Sequence, residues 1–143
     1  AIKKAFRLTN SKTILVMNSD VFWDQYTSKS LKGLINKFDA KIMDSFLMTT
    51  KIKNTFGYSG NGDFVKNKKN QIERFDNNKA KVPLVYCGVQ IVKRNQFDNY
   101  YSNVFSTNKI WDKNIKHKKL YTFMTNKKFN HVGTRESVIG LNK

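Results

Sequence analysis

The segment Leu84 to Val92 most limits how this chain can fold. Val85, Cys87, Val89 and Ile91 recur at every second position and are all apolar, while the intervening face carries Leu84, Tyr86, Gly88, Gln90 and Val92. Successive residues of an extended strand point to opposite sides. The spacing therefore predicts a strand with one face in the core and another with a polar centre around a glycine. Gly88 in mid-strand marks either the close approach of a ligand or a bulge. Cys87, on the apolar face, is expected to be packed rather than nucleophilic. It is the one cysteine of 143 residues, which excludes an intrachain disulfide and any zinc site needing two thiolates from this chain, and it fits a reducing compartment.

The remaining pattern surrounds that strand with α/β units. Ile2, Ala5, Phe6 and Thr9 have helical spacing with no capping residue before them, so the chain is expected to open inside a helix. Thr13-Ile14-Leu15-Val16-Met17 is a continuous apolar run ending at Asn18-Ser19-Asp20, the pattern of a strand buried on both faces. Leu31, Leu34, Ile35 and Phe38, behind Ser28 or Ser30 as cap, predict an amphipathic helix. Ile42 to Thr49 predicts another strand, completing a strand, helix, strand crossover. The loop from Gly57 to Gly62 holds three of the seven glycines. Asp63–Val65 and Ile72–Phe75 bracket a polar turn and predict a β-hairpin. A short helix from about Asn108, strands at Leu120–Met124 and Phe129–Val132, and a last helix capped by Thr134 and carrying Val138, Ile139 and Leu141 complete the pattern. The length suits one domain spanning residues 1–143.

Charge is the strongest compositional feature: 27 Lys+Arg against 10 Asp+Glu give +17. A polyanion partner explains this, and so does the codon bias of an AT-rich genome, because Asn, Ile, Phe and Tyr are also abundant. The clusters Lys66, Lys68 and Lys69, then Lys113, Lys116, Lys118 and Lys119, then Lys127 and Lys128 fall where turns and exposed helix faces are expected. No RRM-type interleaving of aromatics and basic residues occurs, so nucleic acid takes second place. No apolar run reaches the roughly 18 residues of a membrane span and no signal peptide is visible, making cytoplasm the expected location.

Chemistry concentrates at few places. Asn18 and Asp20 follow a predicted strand end, where open α/β sheets bind ligands. That motif either holds a divalent cation or caps a turn. His131, ahead of Gly133-Thr134, is a metal ligand, an acid/base group or a hydrogen-bonded structural residue. His117 sits in a lysine run and is expected in solvent. No Ser-His-Asp arrangement, Gly-x-Gly-x-x-Gly or P-loop is present.

Five segments in order carry a resemblance: Asn18-Ser19-Asp20-Val21-Phe22-Trp23, Gly57-Tyr58 through Gly62-Asp63-Phe64, Val85-Tyr86-Cys87-Gly88-Val89-Gln90-Ile91, Phe105 through Asp112, and His131-Val132-Gly133-Thr134. Together they resemble the sugar-1-phosphate nucleotidyltransferases, especially the branch with N-acetylmuramate-1-phosphate uridylyltransferase and mannose-1-phosphate guanylyltransferase-like proteins. The resemblance implies a Rossmann-like α/β fold, a mixed, mostly parallel sheet flanked by helices with a β-hairpin insertion. It implies attack of a sugar 1-phosphate on the α-phosphorus of an NTP, UTP or GTP, with pyrophosphate leaving, in nucleotide-sugar and cell-envelope biosynthesis. On matching positions Asp20 is the Mg²⁺ ligand and catalytic residue, and Asn18, Asp63 and Gly88 lie on the substrate side. His131 stands where the family usually places a second metal-binding carboxylate, and an imidazole suits Zn²⁺ or Mn²⁺ better than Mg²⁺. The family's N-terminal glycine-rich nucleotide signature is missing. The expectation is an N-terminally truncated fold, whether gene remnant, half of a split enzyme with a complementary N-terminal chain, or a shortened chain, inactive or incomplete alone. A basic polyanion-binding module on the same fold is the alternative.

Overall fold

The computed structural model describes residues 1–22, 27–77, 80–98 and 104–141, so Trp23 of the first motif lies outside the described residues. The chain order is α1 (Ile2–Arg7), β1 (Thr13–Met17), β2 (Val21–Phe22), α2 (Thr27–Lys37), β3 (Ser45–Lys51), β4 (Thr55–Phe56), β5 (Phe64–Lys66), β6 (Ile72–Arg74), β7 (Leu84–Lys93), α3 (Asn95–Asp98), α4 (Asn108–Lys116), β8 (Leu120–Met124), β9 (Phe129–His131) and α5 (Arg135–Leu141), with a 3₁₀ turn at Ile52–Asn54.

The main sheet runs β6-β5-β7-β3-β8, with β1 also paired to β7. Strands β1, β3 and β5 are each antiparallel to β7, and β8 is parallel to β3. Four strands thus point one way, yet the one parallel neighbour pair in this sheet is β3–β8, because β7 runs opposite through the middle. Alternation places the layers. Phe46, Met48, Val85, Cys87, Val89 and Ile91 meet Leu34 of α2 on one face. Leu47, Phe64, Ile72 and Leu120 meet Trp111 of α4 on the other. Phe6 of α1 and Phe97 of α3 close the second face over Val92 and Ile110, with Ile14 and Val16 against them. The fold is a mixed α/β sheet between helices, and the hairpin β5–β6 forms as the turn chemistry requires: Asn67 Oδ1 accepts from the backbone N–H of Lys69 and Gln71.

Several expectations change in tertiary context. Thr13–Met17 is not buried on both faces; Leu15 and Met17 are 40% and 44% exposed, because among the described residues β1 has β7 on one side and no strand on the other. The strand expected from Ile42 begins at Ser45, and Ile42 is exposed in the turn before it. On α2 the buried stripe runs through Leu34 while Ile35 lies in solvent. Thr134 does cap the last helix, with its Oγ1 accepting from the Ser137 N–H at 3.2 Å, but Val138 and Ile139 point outward.

Candidate functional site

The small sheet β2-β9-β4 does the assembling. β2 pairs antiparallel with β9 so that Val21 lies opposite His131, and the Val132 N–H donates to the Asp20 carbonyl at 2.8 Å. Residues separated by 111 positions are thereby brought into contact: His131 Nε2 lies 3.3 Å from Asp20 Oδ2. The Asn18 N–H donates to the Gly88 carbonyl at 2.8 Å, tying the end of β1 to the middle of β7.

Gly88 is the bulge of the two alternatives, and the close approach made to it is by the chain's own Asn18–Val21 segment. The β3–β7 register slips between Leu47 and Thr49 opposite it, which is a bulge, and its φ is +70°. A Cβ there would also lie 2.7 Å from Val21 Cγ2 and 3.2 Å from Asn18 Cβ. The missing side chain is what lets the Asn18–Val21 segment sit against β7.

These residues open on a cavity of about 260 Å³ lined by Asn18, Val21, Tyr58, Tyr86, Gly88, Phe129 and His131. The structure thus brings together Asn18, Gly88 and His131, with Asp20 bonded to His131 at the edge. Asp63 does not line the cavity. Its Oδ1 accepts from the Tyr58 hydroxyl at 3.1 Å and its Oδ2 from the Tyr86 backbone N–H at 2.8 Å, so it holds the Tyr58 ring and ties down the backbone that carries Tyr86. Sequence reasoning misses Tyr58 and Tyr86, although each sits inside one of the five motifs, Tyr58 next to Gly57 and Tyr86 two positions before Gly88. His117 is exposed, with Nδ1 2.8 Å from the Lys113 carbonyl, as expected for a surface residue. Cys87 is fully buried and burial pushes its thiol pKa up, with the Asp63 carboxylate adding to the shift, which leaves it a packing residue.

The electrostatics of this wall are unusual in one respect. Asp20 Oδ1 and the Tyr86 hydroxyl are both buried without a hydrogen-bond partner, two of three such side-chain atoms among the described residues. Burial first, and then Cys87 and Asp20, raise the Tyr86 pKa against a lowering by the nearby Gln90 side chain, which lies outside hydrogen-bond geometry, so the phenol is a neutral donor. Tyr58 is raised likewise by burial and by Asp63. An orphaned buried hydroxyl costs roughly 1–3 kcal/mol, so Tyr86→Phe is expected to raise the stability of the ligand-free chain by about 1 kcal/mol in thermal melts. A loss of similar size would instead mean that the hydroxyl is paired in solution.

The donor set also bears on metal binding. Among the described residues no three His, Cys, Asp or Glu side chains converge as a metal cluster. One carboxylate with an unpartnered oxygen plus one imidazole nevertheless fits a divalent cation that completes its shell with water and substrate oxygens.

No protein-family model and no curated protein matches this sequence. Solved structures do. HddC from Yersinia pseudotuberculosis, complexed with GMP-PN, superposes with a TM-score of 0.65 at 15% identity, over 97% of this chain and 58% of that one. A Bacillus anthracis protein described as a glucose-1-phosphate thymidylyltransferase gives 0.64 at 12% identity, over 99% and 57%. The inositol-1-phosphate CTP transferase of T. maritima gives 0.64 at 11%, over 95% and 55%. The chain has the Rossmann-like fold of these nucleotidyltransferases and spans less than three fifths of their length.

Proposed function

We propose that this chain is the metal- and sugar-side portion of a nucleotidyltransferase that joins a sugar 1-phosphate to an NTP, UTP or GTP, with release of pyrophosphate. One observation carries the reading: on a nucleotidyltransferase fold, Asp20 and His131 meet at 3.3 Å beside a cavity walled by Tyr58, Tyr86 and Phe129. A phosphate oxygen of the sugar 1-phosphate attacks the α-phosphorus, and the bond to the β-phosphate oxygen breaks as pyrophosphate leaves. Such transfers are accelerated chiefly by positioning and charge neutralisation. Asp20 and His131 would hold a divalent cation, which neutralises phosphate charge when bound. Asn18 and the open backbone at Gly88 border the space for the sugar, and Asp63 holds the ring of Tyr58 and the backbone of Tyr86 in place.

Turnover is tested by following pyrophosphate release with Mg²⁺ or Mn²⁺, UTP or GTP and candidate sugar 1-phosphates, with the chain alone and with the N-terminal segment of one of the solved relatives added. Product only in the second arm supports a portion that needs a complementary chain; no product in either arm, with both chains folded, refutes the reading. Independently, Asp20→Ala is expected to weaken Mn²⁺ binding at least a hundredfold, measured by electron paramagnetic resonance. Unchanged binding would remove Asp20 from the metal site.

Strand β1 explains why the chain would be incomplete alone. Among the described residues no strand pairs with its outer edge, beside the exposed Leu15 and Met17, and Phe22 is 57% exposed nearby in sequence. Such an edge pairs with other chains unless covered. Light scattering of the isolated chain is expected to show species larger than the 16.7 kDa monomer despite the charge of +17. A monomer at all concentrations would argue that the edge needs no cover.

A further inference from the structure

A second cavity, of about 620 Å³, shares no lining residue with the candidate site. It lies where β3 and β8 end and β7 begins, under the β5–β6 hairpin. Lys51, Lys66, Lys68 and Lys81 line it from three stretches of the sequence, with the carboxylate of Glu73 among them and that of Asp76 paired to Lys81. Its apolar surface comes from Val65, Val82, Leu84 and Met124. Sequence position alone assigns the Lys66–Lys69 cluster to a solvated turn; the tertiary structure sets Lys66 and Lys68 facing two lysines from elsewhere.

The walls are held in place. The Thr122 N–H donates to the Asn70 carbonyl at 2.9 Å, and Gln71 Nε2 donates to the Lys118 carbonyl at 3.2 Å and to the Tyr121 hydroxyl at 3.0 Å, which pins the hairpin turn onto β8. Asn70 takes φ +60° to make that turn. Lys66 Nζ donates to Asn70 Oδ1 at 3.2 Å, and Lys81 pairs with Asp76 at 3.0 Å. Lys51 and Lys68 have no acceptor among the described residues. The four ammonium groups exceed the carboxylates of Glu73 and Asp76, so they repel one another and focus a net positive potential into the concavity. A bound anion relieves that repulsion, and the apolar surface offers burial to whatever the anion is attached to. The volume falls within the range of small-molecule sites.

We propose that this cavity binds a phosphate-bearing small molecule, with the phosphate between Lys51 and Lys68 and an apolar or ring portion against Val82, Leu84 and Met124. Phenyl phosphate and inorganic phosphate, titrated at fixed ionic strength into ¹⁵N-labelled full chain, supply the test. Phenyl phosphate is expected to saturate and to shift the amides of Lys51, Lys68, Val82 and Met124, binding about tenfold tighter than inorganic phosphate through the ring it buries. The pair Lys51→Gln with Lys68→Gln is expected to weaken it at least tenfold. Lys113→Gln with Lys116→Gln on α4, which removes the same charge elsewhere, is expected to change it less than twofold. Shifts that never saturate, or equal weakening by both pairs, overturn the proposal in favour of net charge alone. Displacement of phenyl phosphate by a single-stranded oligonucleotide with a steep salt dependence also overturns it and assigns the cavity to nucleic acid. The shift map is read on the unsubstituted chain, so it decides between these outcomes even where a variant misfolds. None of them depends on the nucleotidyltransferase reading.

Discussion

Trp111→Ala is expected to leave the chain without a cooperative thermal transition. The indole is 7% exposed and packs edge-on against Tyr86 at 4.9 Å and Phe64 at 5.7 Å between ring centroids. The Arg74 guanidinium lies 5.7 Å from its centroid. Its Nε1–H donates at 2.9 Å to Gln90 Oε1, itself a 3% exposed side chain on β7. Removing a buried aromatic of this size costs roughly 3–5 kcal/mol through lost burial and the cavity left behind. The orphaned Gln90 oxygen adds about 1–3 kcal/mol. The sum approaches the 5–15 kcal/mol that separates most folded domains from the unfolded chain. Trp111→Phe keeps one aromatic ring, drops the donor and gives up part of the indole's volume, so its expected loss is the second amount plus a smaller packing loss, read from urea denaturation. Equal losses for the two variants would show that the hydrogen bond, not packing, dominates. Tyr86 stands against this indole and also lines the candidate site, so the packing of Trp111 supports that wall.

Gly57→Ala is expected to do comparable harm from a different cause. Gly57 has φ +74°, and a Cβ there would run into the His131 carbonyl oxygen, with Ser137 Cβ 3.3 Å away. The left-handed backbone alone costs an alanine about 1–2 kcal/mol. The clash is with backbone, which cannot rotate aside as a side chain can. Either β4 or β9 must shift, and β9 carries His131 opposite Val21. The expected result is a loss of roughly 3 kcal/mol in denaturant unfolding together with weakened Mn²⁺ binding. Gly140→Ala is a fair comparison, because a Cβ there meets only the ring of Phe56, at 2.8 Å. If the two variants behaved alike, Gly57 would matter as ordinary packing and not as the spacer that seats His131.

The two glycine positions and the Asp20–His131 pair separate what is legible along the chain from what is not. The glycine-rich loop announces itself by its density of glycines, but its purpose depends on which carbonyl lies opposite, and that carbonyl is 74 positions later in the sequence. The same holds for Asp20 and His131. The first is readable as the polar end of an apolar strand and the second as a lone imidazole before Gly133-Thr134. Nothing local says that the two are neighbours. The lysines of the second cavity show the opposite case, since Lys66 and Lys68 look like an ordinary solvated turn until Lys51 and Lys81 are set around them.

The sequence by itself determined the secondary elements and their faces wherever the cause is local. The odd face of Leu84–Val92 is core, the hairpin forms around Asn67–Asn70, Thr134 caps the last helix, and Gly88 interrupts its strand. Alternation, capping and turn preference act within a few residues and are therefore written in adjacent letters. Only the tertiary structure decided strand order and direction, the exposure of Leu15 and Met17 on a strand edge, the solvent position of Ile35, and the meeting of Asp20 with His131. Pairing and burial depend on partners supplied by distant segments, and an apolar run reads the same from inside a sheet or from its rim.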